Sequence, residues 1–225
     1  MEILVISDIH NDVENLMGFL DKLSKFRFDA VVCTGDITDY TVPKGFNRTD
    51  IVKIVLEELK TLKKPVLMIP GNQDKEIIPF LEKEGISLHG RGVVMEGVGF
   101  YGYGGAKTPF NTPFEPSEQE LKTGLTKAFE MVKNSKHKVQ VTHIPPMGTK
   151  IDRIFSGAHV GSEAVRKFIE EKKPEVAVSS HVTEAKGIDE IGNTKIMNTG
   201  KFPEGYCGFI SINNREVNLK IVNLI

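Results

Sequence analysis

Short apolar runs alternate along this chain with longer amphipathic stretches. Ile3 to Ile6, Ala30 to Cys33, Val66 to Ile69, Val139 to Val141 and Val176 to Val178 have the length and β-branched content of strands buried on both faces. Between the first two runs, Val13, Leu16, Met17, Phe19, Leu20 and Leu23 recur at close to 3.6 residues, which predicts a helix capped by Asp12. A second helix is expected to start at Thr49 or Asp50 and to carry Ile51, Ile54, Val55, Leu56 and Leu59, with Pro65 leading into the third strand. Further helices are expected over Lys75 to Lys83, Glu118 to Asn134 and Ser162 to Glu171.

From Ile86 to Tyr103 the pattern shortens and is broken by Gly90, Gly92, Gly97, Gly99 and Gly102, which reads as antiparallel strands. Gly187 to Val222 reads as hairpins, with a tight turn at Asn213-Asn214. The loop from Thr108 to Ser117 holds Pro109, Pro113, Pro116, Phe110 and Phe114 and is long enough to overhang a crevice. Two β-rich halves, each opening with helix-linked strands and closing with hairpins, predict two mixed sheets packed face to face with helices outside. The expected class is α/β (α+β), in one domain spanning residues 1–225.

Composition narrows the function. Lys plus Arg total 29 against 30 Asp plus Glu, so the bulk charge does not favour an extended nucleic-acid partner. No run approaches the ~20 apolar residues of a membrane span, and no basic segment followed by an apolar one opens the chain. Cys33 and Cys207 lack the paired spacing of a disulfide framework or zinc site. A reduced, cytoplasmic protein without a membrane partner is expected; the oligomeric state is left open.

The chemistry sits just after the apolar runs: Asp8-Ile9-His10, Gly35-Asp36, Gly71-Asn72, His143 and Ser180-His181. These positions fall at strand C-terminal ends, where open α/β sheets form their binding crevices. Asp8-x-His10 alone has a plain alternative, a helix cap beside a surface histidine. Five blocks of oxygen and nitrogen donors in order are more specific. Asp39 and Asp74, close behind two of them, are read as carboxylates that orient a ligand.

These blocks resemble the calcineurin-like metallophosphoesterase family, whose signature runs Asp-x-His, Gly-Asp-x-x-Asp, Gly-Asn-His-Asp/Glu, a lone His, and Gly-His-x-His. His143-Ile144-Pro145-Pro146 also resembles its His-x-Pro-Pro variant, and the likeness covers nearly the full length. The resemblance implies a four-layered αββα sandwich. It implies two divalent ions, with Asp36 bridging, Asp8 and His10 completing one site, and Asn72, His143 and His181 the other. Donors without thiolate suit Mn, Fe, Zn, Co or Ni. The implied activity is phosphatase or phosphodiesterase hydrolysis of a small, nucleotide-like or activated phosphoester, with a hydroxide bridging the ions as nucleophile.

Two positions depart from the signature. Gln73 stands where the family has a histidine held to protonate or polarise the leaving group, and glutamine cannot transfer a proton. Leaving groups that depart as stable anions should suffer least. Thr183 replaces the second histidine of Gly-His-x-His, so the first site is expected to bind its ion more weakly. A degenerate relative that binds a phosphate ligand without turnover is the alternative; a nuclease would need a basic surface that the charge balance does not advertise. His159, in a glycine-containing loop before a helix, is weighed as a replacement acid against a plain surface role. His89 and His137 read as solvated, Gly102 to Gly105 as a structural turn, and Tyr101, Tyr103, Phe110 and Phe114 as core residues or as a stacking surface for a base or aryl group.

Overall fold

The computed structural model describes residues 1–213 and 216–225. It contains two mixed sheets flanked by helices, an α/β fold. The chain runs β1 (Glu2–Ile6), α1 (Val13–Leu23), β2 (Ala30–Cys33), α2 (Arg48–Lys60), β3 (Val66–Met68), α3 (Ile78–Lys83), β4 (Arg91–Met95), β5 (Val98–Tyr103) and α4 (Glu118–Glu130). It continues with β6 (His137–Thr142), α5 (Glu163–Lys172), β7 (Val176–Ser179), β8 (Gly187–Ile191), β9 (Thr194–Asn198), β10 (Tyr206–Ile212) and β11 (Val217–Asn223). One sheet has the order β11-β10-β1-β2-β3 and the other β4-β5-β6-β7-β9-β8.

Side-chain alternation explains the layering. In β1, Ile3 and Val5 point between the sheets, where they meet Val98, Phe100, Val139, Val141, Val176 and Val178 of the second sheet. Leu4 and Ile6 point the other way, onto Leu16, Leu20 and Leu23 of α1 and Val55 and Leu59 of α2. The second sheet turns Tyr101, Ala177 and Ile196 outward onto Leu121 and Leu125 of α4 and Phe168 and Ile169 of α5. Strands with apolar residues on both faces therefore read as unbroken apolar runs.

The expected boundaries shift where local hydrogen bonding decides them. Helix α2 begins at Arg48 because Asn47 caps it and Asp50 returns the bond to the Asn47 N–H, so Asp50 closes a capping box rather than starting the helix. The expected Lys75–Lys83 helix splits into a 3-10 turn, Lys75–Ile77, and α3, whose second residue is Pro79. Helix α4 stops at Glu130, short of Asn134, and α5 starts after its cap Ser162. Asn214 of the expected tight turn lies outside the described residues; the Asn213 N–H donates to the Glu216 carbonyl.

Topology interleaves the two β-rich halves. The hairpin β4–β5 joins the second sheet through parallel pairing of β5 with β6. The last hairpin returns to the first sheet, where β10 covers the free edge of β1 antiparallel, Ile3 opposite Ile210. Each half thus completes the other's sheet. No helix among the described residues is long and apolar enough to cross a membrane, and Cys33 and Cys207 are both buried and free.

Candidate metal centre

The C-terminal ends of β1, β2, β3, β6 and β7 deliver the expected donors to one place. Beyond β1 and β2 the ladder continues into the loops: Asp8 N–H donates to the Gly35 carbonyl and His10 N–H to that of Asp36, both at 3.0 Å. This holds Asp8, His10 and Asp36 with φ of 51°, 49° and 49°, and His181 joins them at 69°. A non-glycine residue in that region costs on the order of 1 kcal/mol or more, and such residues cluster where surrounding structure enforces a functional geometry. The β2 and β3 loops also meet at close range. A Cβ on Gly71 would lie 2.0 Å from Asp36 Oδ1, so only glycine lets the loops touch there.

Two groups of donors result, with atoms within 4.8 Å of one another: Asp8, His10 and Asp36, and Asp36, His143 and His181. Asp36 belongs to both. Asn72 joins the second, its Oδ1 3.0 Å from His143 Nε2, which is itself 3.4 Å from Asp36 Oδ2. His143 Nδ1 lies 2.8 Å from the Thr34 carbonyl, an acceptor, so that network assigns the ring proton to Nδ1. Nε2 faces two further acceptors, Asn72 Oδ1 and Asp36 Oδ2, so positive charge belongs among them: a proton on Nε2 in the metal-free ring, or a divalent ion in its place once Nε2 is deprotonated, which the donor set fits. His10 behaves similarly: Nε2 faces Asp8 and Asp36 at 3.7 and 3.9 Å, while Nδ1 is 3.7 Å from Asp39.

Ionisation follows the same crowding. Burial would lower the pKa of His143, but the Asp36 carboxylate outweighs it and holds the imidazole well above its usual range. Asp36 is held low despite its burial, by His143 and His10. His181 goes the other way, to about 4, through burial and the neighbouring His143, with Asp36, Asp8 and Glu115 opposing. His181 is therefore neutral near pH 7, the form that ligates a metal.

Asp74 is fully buried and accepts from the Gly71, Ile37 and Thr38 N–H groups and the Thr38 hydroxyl at 2.7–3.0 Å. It ties the Asp36 loop to the Asn72 loop. Gln73 donates its backbone N–H to Asp36 Oδ1 at 3.0 Å, while its side-chain Oε1 is buried without a partner. Thr183 opens the 3-10 turn Thr183–Ala185, two residues beyond His181. His159 enters neither donor group. Its Nδ1 lies 2.7 Å from the fully buried Asp152, whose carboxylate also accepts from the Gly148, Thr149 and Gly161 N–H groups, so His159 helps fold its own loop.

The proline-rich loop reaches the centre. Phe114 N–H donates to the Asn72 carbonyl at 2.9 Å, and Glu115 braces the loop from Thr108 and Thr112. Phe110 projects from it, 81% exposed, whereas Tyr101 is buried against Phe129 and Phe168. His89 is not solvated as expected: it packs 4.1 Å from the Tyr103 ring and accepts the Gly104 N–H through Nδ1. His137 is paired with Glu175 at 3.3 Å. The sequence missed the His89 contact because its partners, Tyr103 and Gly104, lie at the glycine-rich end of β5 and just beyond it.

His89 carries a pH dependence. Burial, aided by Lys127, pushes its pKa down from 6.5 to about 4. The unfolded chain binds a proton that the folded chain refuses between those values, so stability contributed by neutral His89 is full above 6.5 and is lost as pH falls towards 4. Urea midpoints at pH 7 and 4.5 should therefore differ less for His89→Gln than for the unsubstituted protein; equal differences would refute this assignment.

Comparison with known proteins agrees with this geometry. The model of the calcineurin-like phosphoesterase family matches residues 1–184. An uncharacterized protein of Methanocaldococcus jannaschii is 35% identical over 225 residues, covering 96% of this chain and 95% of the relative. Among solved structures, TT1561 of Thermus thermophilus superposes with a TM-score of 0.75 at 20% identity, covering 100% of this chain and 99% of that one. A dimetal phosphatase of Danio rerio superposes with a TM-score of 0.67 at 12% identity, covering 100% and 96%. Matched to that family model over residues 1–184, and carrying strand-end carboxylates and imidazoles around Asp36, the chain belongs to the calcineurin-like phosphoesterase family.

Proposed function

We propose that the chain hydrolyses a small phosphoester with a good leaving group, using two divalent ions held by Asp8, His10 and Asp36 on one side and Asp36, Asn72, His143 and His181 on the other. The observation that carries this reading is the position of Asp36 in both donor groups. When bound, such ions lower the pKa of coordinated water and neutralise charge on phosphoryl oxygens. Manganese is the first metal to try, and a cytoplasmic setting remains part of the reading.

The protein's own contribution is order. Thr34 and Ser180 fix the His143 ring, Asp39 faces the outer nitrogen of His10, and the Gln73 N–H orients Asp36. Gln73 lies next to Asn72 but has no proton to transfer, so an alkoxide leaving group gains no general acid from it. Phosphoanhydrides and aryl esters, whose leaving groups are stable anions, are the preferred substrate class.

A panel of aryl and alkyl mono- and diesters with added Mn²⁺ tests this, and turnover of aryl esters is expected. Ligand binding without turnover under any divalent ion would favour the non-catalytic alternative. Gln73→His should raise hydrolysis of alkyl esters by roughly ten-fold or more, within the ~10²–10⁴ that general acid catalysis supplies, and should leave aryl esters nearly unchanged. An equal gain on both classes would count against this account of the leaving group.

A further inference from the structure

A cleft of about 450 Å³ opens beside the Asp8–His10 donors and is also lined by Asp12, Asp39, Glu204 and Lys201. Four carboxylates face this space beside one of the two donor groups. Coordination accounts for the charge of Asp8, but Asp12, Asp39 and Glu204 would still repel an anion. Lys201 is the one lysine or arginine among these lining residues, and its ammonium makes no hydrogen bond or ion pair among the described residues.

Its position is fixed by the fold. Lys201 follows the C-terminal end of β9, after Gly200, whose φ is +75° and whose N–H donates to Asn198 Oδ1. Next in the chain, Phe202 donates its N–H to the Ser7 carbonyl at 2.9 Å and buries its ring against Phe19. The backbone of Lys201 is thereby pinned beside the residue that precedes Asp8. Lys201 is half-buried and its backbone is held in place, so its ammonium is offered to the cleft from a fixed point.

We propose that Lys201 contacts a non-bridging phosphoryl oxygen of the substrate on the Asp8–His10 side of the centre. The proposal rests on the phosphoesterase reading for its substrate, and on the cleft for its geometry. It also gives the side with fewer protein donors a second cation with which to hold phosphate.

Binding of inorganic phosphate to Mn²⁺-loaded protein, followed by calorimetry, tests it without requiring turnover. Lys201→Ala should weaken phosphate by about ten- to a hundred-fold, the value of one charge-assisted hydrogen bond, with bound Mn²⁺ unchanged by elemental analysis. Lys201→Arg should retain most of the affinity, and Lys167→Ala, at an exposed lysine paired with Glu163, should match the unsubstituted protein. On an aryl ester, Lys201→Ala should raise KM more than it lowers kcat. Phosphate affinity within two-fold of the unsubstituted protein, a parallel loss of Mn²⁺, or no phosphate binding by the unsubstituted protein would each overturn the proposal. Phosphate binding that depends on Lys201, without hydrolysis of any ester, would sink the hydrolase reading and leave this contact standing.

Discussion

Asp36→Asn is expected to cost at least about 10³-fold in phosphoester hydrolysis and to lower occupancy of both metal positions together. Loss of one preorganised electrostatic contact in an active site costs on the order of 10²–10³ in rate, and Asp36 supplies such a contact to two donor groups at once. Residues that merely orient a ligand are worth about 10–100-fold in metal affinity, so a shared carboxylate should exceed that at each position. The fold should survive, because the asparagine oxygen can still accept the Gln73 N–H now bonded to Asp36 Oδ1. Elemental analysis with a circular-dichroism spectrum separates these effects. If the variant keeps one full equivalent of metal while losing the other, Asp36 does not bridge.

The second large effect falls on stability. Asp74→Ala removes the acceptor of three backbone N–H groups and one hydroxyl, all at buried positions between the β2 and β3 loops. An orphaned buried donor costs about 1–3 kcal/mol, and water entering the space vacated by the carboxylate recovers part of it, so a loss of roughly 3–6 kcal/mol is expected. Burial, and then the nearby Asp36, push the pKa of Asp74 upward, and the Gly71 and Thr38 donors act against that shift. Asp74→Asn keeps one oxygen acceptor and should lose less than half as much. Urea unfolding at constant m reads both values. A loss below about 1 kcal/mol for Asp74→Ala would show that the loops hold without this carboxylate.

Much of this was legible because burial writes itself into sequence. Strands buried on both faces appear as apolar runs, so the ends of β1, β2, β3, β6 and β7, and the donors just beyond them, could be located from the runs alone. The αββα layering followed from the resemblance and from the change of texture after Ile86. What stayed hidden depends on contacts between distant segments. Pairing of β10 with β1 leaves no local trace, since an antiparallel hairpin looks the same whichever sheet it joins. The left-handed backbone at Asp8, His10 and Asp36 goes with hydrogen bonds between the β1 and β2 loops, which no local pattern announces, although Asp and His enter that region more readily than most side chains. Asp74 reads in the sequence as a carboxylate that orients a ligand, and its work as an acceptor joining the β2 and β3 loops depends on the distant Ile37 and Thr38. Lys201 gave no motif, because it reaches the centre only through the anchoring of Phe202 to Ser7.

A two-ion centre shared through Asp36 fixes the number of ions the chain holds, and metal stoichiometry reads that number. Chelator-stripped protein titrated with Mn²⁺, with bound metal measured by elemental analysis and hydrolysis of an aryl phosphodiester followed at each point, should bind two equivalents per chain. The Asp36–Asn72–His143–His181 position should fill first, and turnover should appear as the second equivalent enters. Saturation at one equivalent with full turnover, or no retained metal and no hydrolysis at any concentration, would rule out a shared two-ion centre.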